Sequence, residues 1–388
     1  MASNNHSINN NTKEEEQTPN TTTNTTTTTT ANKDTTTMRA WLYTKAGKNI
    51  ASALTLNPTA RRPPTPLPAN KLLVRVTHMS PNPADHKAPE ISSLASLLLT
   101  RSFGPASPGM DYAGVVEEVG SGINSQSSPR FSATYKPGTK VFGRVALTPF
   151  GTLGEYIQPD AEGCVPLPSS VSPEDASTLG TAAQTAYQTI APFVRPGQGD
   201  EVFINGGSGG VGTFAIQIAA KALGCIVTTS CSGRNAELCT SLGATTVLDY
   251  TDTTTTVTAA LRARGRVFRL IVDNVGDSPA DLYSAAEDYL LPEGTFVQIG
   301  GDFSVSGLRA TASRALLPGF LGGGRRTWKF ISTETRHDHL AQLAQWIQEG
   351  KIRAVIDGEV IPFEQAPTAF DKLRTKRTRG NLVVKVSD

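Results

Sequence analysis

The strongest chemical signal in the sequence is a run of glycines between residues 206 and 212. Gly207, Gly209 and Gly212 have the spacing G-x-G-x-x-G, and Gly206, Gly209 and Gly212 also fit G-x-x-G-x-x-G. Glycines permit a tight turn and close approach of the backbone to a pyrophosphate, which the N-terminus of a following helix attracts. The run therefore predicts a dinucleotide-binding turn made by Gly207, Ser208, Gly209, Gly210, Val211 and Gly212.

The stretch from Ser230 to Arg234 indicates which dinucleotide is bound, since it lies about 20 residues beyond the glycines. Proteins that bind NAD place an acidic side chain here, on the ribose 2′-hydroxyl. This chain has Ser230, Ser232 and Arg234 instead, and hydroxyls with a guanidinium suit a 2′-phosphate. The stretch predicts NADPH as the cofactor. The alternative is that Ser230 caps a turn and Arg234 is only solvated.

The elements around the glycines have the order that such a site requires. A strand is predicted at Glu201–Asn205, and a helix at Thr213–Leu223 with Gly224 as its C-cap. The alternation continues with predicted strands at Cys225–Ser230, Thr246–Asp249, Phe268–Asp273 and Thr295–Ile299, and with predicted helices at Asn235–Leu242, Val257–Arg264 and Ala280–Leu291. Repeated β-α units predict a doubly wound parallel sheet with a ligand cleft at the carboxyl ends of its strands.

The residues before about position 180 follow a different pattern. Short apolar runs broken by Gly and Pro predict a β-rich domain with strands at Met38–Tyr43, Lys71–Thr77, Ala113–Val119, Lys140–Val145 and Glu155–Gln158. The end of the chain predicts a strand at Thr327–Ile331, helices at Asp338–Glu349 and Glu364–Arg374, and a strand at Leu382–Val386. Residues 1–37 are mostly Thr and Asn, which predicts a disordered tail.

Composition narrows the class of protein. The 388 residues are 38% hydrophobic, enough for a large core, and a net charge of +2 gives no field that would hold nucleic acid or an anionic membrane. Four cysteines without C-x-x-C spacing argue against a disulfide scaffold and a four-thiolate zinc site. The sequence shows neither a membrane-length apolar stretch nor a signal or transit peptide, so the expected location is cytoplasmic.

Several spaced motifs together resemble one family. Besides the glycine run, they are Asn82–Asp85, Pro108–Gly114, Gly151–Tyr156, Gln184–Tyr187, Cys231–Asn235 and Leu242–Tyr250. In this order they resemble the medium-chain dehydrogenase/reductase superfamily, in its zinc-independent quinone oxidoreductase branch, from about Met38 to Val386. The resemblance implies an α/β fold with a GroES-like β-rich catalytic domain at 38–180, completed by about 332–388, and a Rossmann NADPH-binding domain at 181–331.

The resemblance allows individual positions of this chain to be compared with the zinc ligands of alcohol dehydrogenases. Zinc alcohol dehydrogenases have Cys at the position of Asn82, His at that of Met110 and Cys near that of Thr181. None of these three side chains is a zinc ligand, and a lobe of four closely spaced cysteines is missing too. His337 and His339 lie two apart with no Cys nearby, which does not suit zinc. The expectation is a site without metal.

For the cofactor, the resemblance implies contacts at both ends. Ser230, Arg234 and Tyr250 would surround the adenosine phosphate, and Arg379 would reach the 2′-phosphate. The nicotinamide side would be lined by Asn274, Val275, Gly276, Gln298, Ile299, Gly300 and Gly301. The cofactor would supply the hydride, and the protein the geometry.

Candidates for the chemistry itself come from two further stretches. The resemblance places Asn82 and Thr185 near the nicotinamide or the substrate carbonyl; the alternatives are a turn-forming Asn before Pro and a helix-start hydroxyl. His86 and Lys87 lie where related reductases often place a proton donor facing the cleft. Solvent or a cofactor hydroxyl is the alternative source of the proton, and Asp85 also suits a structural role, capping or pairing within its loop.

The expected reaction follows from the missing metal. Without zinc there is no Lewis acid to stabilise an alkoxide, whereas a quinone or an α,β-unsaturated carbonyl needs only orientation and hydrogen-bond donors. The sequence predicts an NADPH-dependent reductase of a small hydrophobic electrophile, bound between loops Ile91–Ser107 and Ser304–Arg326. The alternatives are a tailoring or trans-acting enoyl reductase of a biosynthetic pathway, many of which lose the glycine turn, and a non-catalytic NADPH-binding protein. A homodimer is a further hypothesis.

Overall fold

The computed structural model describes residues 36–91, 100–102, 104–123, 135–146, 151–276, 278–299 and 326–388. The predicted tail, except for its last two residues, lies outside the described residues, and so do the predicted cofactor contacts Gly300 and Gly301. Most of the two predicted substrate loops also lies outside them.

The strands within these ranges are, in chain order, β1 (Thr37–Leu42), β2 (Thr55–Arg61), β3 (Leu72–Ser80), β4 (Asp111–Val119), β5 (Lys140–Arg144), β6 (Tyr156–Ile157), β7 (Cys164–Pro166), β8 (Glu201–Asn205), β9 (Ile226–Cys231), β10 (Thr246–Asp249), β11 (Phe268–Asp273), β12 (Leu290–Gln298), β13 (Thr327–Phe330), β14 (Ile361–Pro362) and β15 (Val384–Lys385). The α-helices are α1 (Ile50–Ala53), α2 (Pro83–Ile91), α3 (Pro173–Ala176), α4 (Gln184–Ile190), α5 (Gly210–Gln217), α6 (Ala236–Leu242), α7 (Val257–Arg264), α8 (His337–Gln348) and α9 (Pro367–Arg374).

The β-rich part forms a largely antiparallel sheet, as predicted. Its strand order is β14-β15-β3-β4-β5-β7, with β6 paired to β3, and β1 and β2 form a separate two-stranded sheet. Apolar side chains of β3 and β4, such as Val74, Val76 and Val116, pack into one buried cluster. The strand register places Ser80, Asp111 and Arg144 side by side at one end of the sheet, so polar residues gather there.

The second sheet confirms the predicted doubly wound architecture. Its six strands are all parallel, in the order β10-β9-β8-β11-β12-β13. Leu270 and Val272 of β11 pack in a cluster with α5, whereas Phe268 and Ile271 pack in another with α7. Because alternate residues of a strand point to opposite faces, both faces of the sheet are covered. The strand order reverses between β8 and β11, where such sheets bind ligands.

One predicted element is wrong. The stretch Ala280–Leu291, predicted as a helix, forms turns and a 3₁₀ turn at Ala286–Asp288, and β12 already begins at Leu290. Leu291 precedes Pro292, and a residue before proline is driven to extended backbone. Tyr283 and Tyr289 pack under the sheet, so their apolar pattern reflects burial of turns rather than a helix face.

The chain after β13 contacts the antiparallel part before it pairs with that sheet again. Thr335 accepts a hydrogen bond from Arg144 of β5, and the His337 backbone N donates to Glu162 Oε1 (3.0 Å). Helix α8 also packs beside α4, where Trp346 lies 5.5 Å from Tyr187 between ring centroids. Within the described residues, strand pairing with the sheet of β3 resumes at β14. The predicted boundaries near residues 180 and 331 stay predictions. Across the described ranges, none of the helices combines the length and hydropathy of a membrane-spanning segment.

Candidate functional site

The glycine turn follows β8 and leads into α5. Gly206 has a φ of +81°, a left-handed conformation that favours glycine. Packing also requires glycine at positions 207 and 212. A Cβ at Gly207 would lie 2.1 Å from Thr229 Oγ1, and a Cβ at Gly212 would lie 2.1 Å from the Gly206 carbonyl oxygen. At Gly209, the atom nearest to a Cβ would be 3.8 Å away. Gly209 thus leaves an open cradle beside the N-terminus of α5, where no side chain caps the helix, and this suits a pyrophosphate.

A chain of hydrogen bonds across three strand ends holds this turn. Asn205 Nδ2 donates to Asp273 Oδ1 (2.8 Å), Ser230 Oγ donates to Asn205 Oδ1 (2.6 Å), and the Gly206 backbone N donates to Ser230 Oγ (3.1 Å). Ser230 is 1% exposed, and its hydroxyl already has both partners. The geometry does not support the predicted direct phosphate contact of Ser230, and it assigns this side chain to the support of the turn.

The predicted adenosine end lies after β9. Arg234 and Tyr250 are exposed, Tyr250 to 61%, and Arg234 makes no hydrogen bond or ion pair with another described residue. Asn235 Nδ2 donates to Ser208 Oγ (3.1 Å) and to Ser232 Oγ (3.3 Å), which ties this stretch to the glycine turn. The structure thus brings Ser208, Ser232 and Arg234 to one side of the turn, where a 2′-phosphate would meet them.

The predicted contact of Arg379 with a 2′-phosphate stays a prediction. Arg379 lines a recess of about 420 Å³ together with Glu237 of α6. The residues just after it reach the turn, however: the Gly380 backbone N donates to the Ser208 carbonyl (2.9 Å), and a Cβ at Gly210 would lie 2.6 Å from Asn381 Oδ1. Sequence reasoning missed the contacts of Gly380 and Asn381, because no local pattern links them to a turn 170 residues earlier.

The predicted nicotinamide side follows β11. Asp273 Oδ1 accepts hydrogen bonds from the backbone N of Val275 (3.1 Å) and Gly276 (2.9 Å), which shapes this loop, and the Ile299 backbone N donates to the Asp273 carbonyl. Both amide atoms of the Asn274 side chain are buried and have no partner within the described residues. An unsatisfied buried amide is costly, and it suits a ligand that presents a donor and an acceptor, as a carboxamide does.

A second polar group lies at the end of the antiparallel sheet. Fully buried Asp111 accepts hydrogen bonds from Asn82 Nδ2 (2.9 Å), the Thr181 backbone N (2.7 Å) and the Thr181 hydroxyl (2.6 Å). Arg144 Nε donates to Thr181 Oγ1 (3.0 Å), and its Nη2 lies 3.5 Å from Met110 Sδ. The three positions compared with zinc ligands, Asn82, Met110 and Thr181, thus meet around a carboxylate and a guanidinium. We call these five residues the Asp111 cluster.

Burial shifts the carboxyl groups in and beside the Asp111 cluster. It raises the pKa of Asp111 to about 6, against the opposing effect of the hydrogen bonds from Thr181 and of the Arg144 cation. Asp85 of α2 is also buried, and burial raises its pKa to about 8 although its Oδ2 accepts the Asn82 backbone N–H. Its Oδ1 has no partner within the described ranges. Asp85 is therefore mostly neutral at pH 7, in agreement with a structural role in its loop.

The remaining predicted catalytic residues are divided between two places. Thr185 Oγ1 donates to the Thr181 carbonyl (2.7 Å) and also pairs with the Thr333 hydroxyl, so Thr185 joins the Asp111 cluster. His86 Nδ1 instead lies 3.3 Å from Glu90 Oε2 on its own helix, and burial lowers the pKa of His86. Lys87 follows it and is partly buried. Asn82 is thus linked to Asp111 and Thr185 to Thr181, whereas His86 pairs with Glu90. The catalytic roles predicted for these residues stay predictions.

Two parts of the chain match known protein families. Residues 68–169 match the family described as the alcohol dehydrogenase GroES-like domain, and residues 242–384 match a family described as zinc-binding dehydrogenase. The first match covers the antiparallel sheet, and the second covers much of the parallel sheet and the return of the chain. Among the residues that the structure describes, no group of three or more His, Cys, Asp or Glu could hold a metal ion.

Similar proteins agree with these matches. A trans-enoyl reductase of Aspergillus terreus is 41% identical over 361 residues, which covers 91% of this chain and 97% of the relative. The solved quinone oxidoreductase of Coxiella burnetii has a TM-score of 0.73 and 27% identity, and covers 90% of this chain and 99% of its own. The Escherichia coli quinone oxidoreductase complexed with NADPH, at 21% identity, shares the fold with a TM-score of 0.69 over 90% of this chain and 99% of its own. This chain belongs to the medium-chain dehydrogenase/reductase superfamily, in its quinone oxidoreductase-like branch, and is an oxidoreductase.

Proposed function

We propose that the protein is a zinc-independent reductase that uses NADPH to reduce a quinone or the carbon–carbon double bond of an α,β-unsaturated carbonyl compound. The observation that carries this proposal is the open cradle at Gly209, with the unsatisfied Asn274 amide at the end of the neighbouring strand. NADPH, when bound, supplies the hydride. Backbone groups of the turn would hold its pyrophosphate, and Asn274 its carboxamide.

The choice of NADPH is supported by residues after β9. Arg234 is exposed beside Ser232 and makes no described contact that would neutralise it, so it suits a 2′-phosphate. The structurally similar Escherichia coli protein was solved with NADPH. Ser208 and Ser232, linked through Asn235, would add hydroxyl groups near the same phosphate.

Zinc independence is supported by the chemistry of the Asp111 cluster. An amide, a thioether and a hydroxyl are poor zinc ligands, and the Asp111 carboxylate already accepts three hydrogen bonds. The Arg144 guanidinium lies against two of the three positions, where it would repel a metal cation. These residues do not fit zinc, so we derive no step through a metal and expect simple alcohols to be poor substrates.

A second candidate has a specific observation in its favour. The Aspergillus terreus relative is named a trans-enoyl reductase, and its identity extends over nearly the whole of both chains. The substrate could then be an enoyl thioester rather than a free enone. Both candidates use the same chemistry and differ in the group attached to the carbonyl. The predicted cytoplasmic location and the homodimer stay predictions.

The test is NADPH oxidation by the purified full chain in a stopped-flow instrument. A quinone, a 2-alkenal and an enoyl pantetheine thioester serve as acceptors, each with NADPH and with NADH. We expect turnover with at least one acceptor and a preference for NADPH. Arg234→Ala should weaken NADPH binding by roughly tenfold, about 1.4 kcal/mol, and leave NADH unchanged. Arg262→Ala, which removes an exposed ion pair of α7, is the control. NADPH binding without any turnover would favour the non-catalytic alternative.

A further inference from the structure

Arg144 joins the two sheets at the place where ligands bind in folds of this kind. It is the last residue of β5, in register with Asp111 at the start of β4. Its Nη1 donates to Thr335 Oγ1 (2.6 Å), a residue that follows β13 at the carboxyl edge of the parallel sheet. Its Nε donates to Thr181 Oγ1 (3.0 Å). The guanidinium therefore lies between the end of the antiparallel sheet and the edge at which parallel sheets bind their ligands.

Arg144 keeps N–H donors that its described hydrogen bonds do not use. A guanidinium keeps its proton at all physiological pH values, and it carries five N–H donors. Its hydrogen-bond partners within the described residues are two hydroxyls and a thioether, and a thioether is a weak acceptor. The Arg144 cation interacts electrostatically with Asp111, but the described hydrogen bonds to the Asp111 carboxylate come from Asn82 and Thr181 and use none of the Arg144 donors. At least two N–H groups of a partly exposed cation remain for an incoming oxygen.

We propose that Arg144 donates hydrogen bonds to the carbonyl oxygen of the substrate and stabilises the negative charge that develops there. The inference rests on the proposed function and assigns Arg144 as the group that polarises the substrate carbonyl in that reaction. An enone that gains hydride at its β-carbon forms a C–H bond, while the π-electron pair shifts and leaves an enolate oxygen. The enolate then takes a proton from water at its α-carbon. A fixed cation that is present before the reaction lowers the energy of this oxyanion without reorganisation.

A purely structural role for Arg144, as a tie between the two sheets, makes a different prediction, and Thr335 separates the two roles. Thr335→Val removes the hydroxyl that accepts from Arg144 Nη1, so it breaks the tie while it keeps the cation. Arg144→Met removes the cation and keeps much of the apolar volume. If Arg144 were only a tie, both variants would lose similar activity. If it binds the oxyanion, only Arg144→Met is severely impaired.

The experiment measures kcat and KM with a 2-alkenal and NADPH for the wild type, Arg144→Met, Arg144→Lys and Thr335→Val. NADPH dissociation constants and thermal unfolding midpoints are measured in parallel. We expect Arg144→Met to lose about 10²- to 10³-fold in kcat/KM, mainly through kcat, with NADPH affinity within about twofold of the wild type. Arg144→Lys should recover part of the loss, and Thr335→Val should lose less than about fivefold.

Two results would overturn the inference while the proposed function stands: an Arg144→Met protein that keeps about a third of the wild-type kcat/KM, or a Thr335→Val loss equal to that of Arg144→Met. If Arg144→Met fails to fold, Arg144→Ala with added guanidinium chloride at millimolar concentration decides, since restored turnover supports the role and no restoration contradicts it. A wild-type protein that reduces no acceptor would instead contradict the proposed function.

Discussion

The two halves of the candidate site are built in opposite ways. The glycine turn is a continuous stretch, Gly206–Gly212, and its function depends on backbone groups and on the absence of side chains. The Asp111 cluster is assembled from the loop after β3, the start of β4, the end of β5 and a turn before α4. A turn shaped by its backbone can thus be encoded locally, whereas a cluster of buried polar side chains requires groups from distant parts of the chain.

The halves also differ in the groups that hold them together. The turn is supported by the neutral side chains of Asn205 and Ser230 and by the hydrogen bond from Asn205 to Asp273 Oδ1. The cluster and its neighbour Asp85 hold two buried carboxyls whose pKa values are raised by burial. We therefore expect substitutions in the turn to act through shape, and substitutions around the cluster to act through charge.

The largest effect is expected within the turn, from two glycines that differ in their surroundings. A Cβ at Gly212 would lie 2.1 Å from the Gly206 carbonyl oxygen and 2.7 Å from backbone atoms of Gly207. Gly212→Ala should lower the free energy of unfolding by about 3 kcal/mol or prevent folding, because backbone atoms cannot move aside cheaply. Urea denaturation followed by circular dichroism measures this change.

Gly209→Ala is the matched variant, because its Cβ would meet no atom closer than 3.8 Å. Its stability should stay within about 0.5 kcal/mol of the wild type. Its affinity for NADPH should fall by roughly tenfold, or about 1.4 kcal/mol, since the methyl group would fill the cradle. Unchanged affinity in Gly209→Ala would show that the pyrophosphate does not lie at this turn, and the comparison between the two halves would fail.

The next effect concerns the charged half and the buried carboxyl of Asp85. Its pKa in the folded protein is raised to about 8, so the folded state holds this proton at pH values where the unfolded chain has lost it. Stability from this group is fully present below the ordinary pKa of an aspartic acid and is lost as pH rises towards 8. Between pH 6.5 and 7.5 the free energy of unfolding should fall by about 1 kcal/mol because of Asp85.

Asp85→Asn removes this titration and keeps an oxygen for the Asn82 backbone N–H. The difference in unfolding free energy between wild type and Asp85→Asn should therefore change across pH 6.5 to 7.5, with the variant losing less. Asp111 contributes little to this window, because its pKa is raised only to about 6. Parallel pH profiles for the two proteins would mean that Asp85 is ionised in the folded state, and that charge does not distinguish the halves.

What the sequence could predict follows from the same contrast. The parallel sheet, the glycine turn and the stretch from Ser230 to Arg234 are local patterns, in which alternating runs and spacing carry the information. The family resemblance selected Asn82 and Thr185 as residues near the nicotinamide or the substrate carbonyl, which stays a prediction, but Arg144 and Asp111 were missed as polar partners. Nothing near Arg144 in the sequence marks it, since its partners Thr181 and Thr335 are 37 and 191 residues away. The site assignments themselves stay predictions.

Ser230 has two interpretations, as the predicted phosphate contact and as a support of the glycine turn, and the phosphate contact stays a prediction. Its type and position fitted a phosphate contact, whereas its hydroxyl is buried between Asn205 and Gly206. The sequence pattern selects Ser230 as a ligand contact, but its side chain supports the backbone of the glycine turn. The reason is geometric: the strand register pairs Ser230 with Asn205, so their side chains meet before any ligand is present.

Removal of the Ser230 hydroxyl tests this assignment. Ser230→Ala leaves Asn205 Oδ1 and the Gly206 backbone N without partners, and each unsatisfied buried group is unfavourable, so stability should fall by about 1 to 3 kcal/mol. Thr228→Val, on the same strand, removes a buried hydroxyl that has no partner within the described residues, and it should leave stability unchanged or raise it. NADH and NADPH affinities should fall together in Ser230→Ala, because the turn serves both. A loss of affinity confined to NADPH would instead support a contact between Ser230 and the 2′-phosphate. The glycine-turn half of the site would then depend on side chains as well as on its backbone.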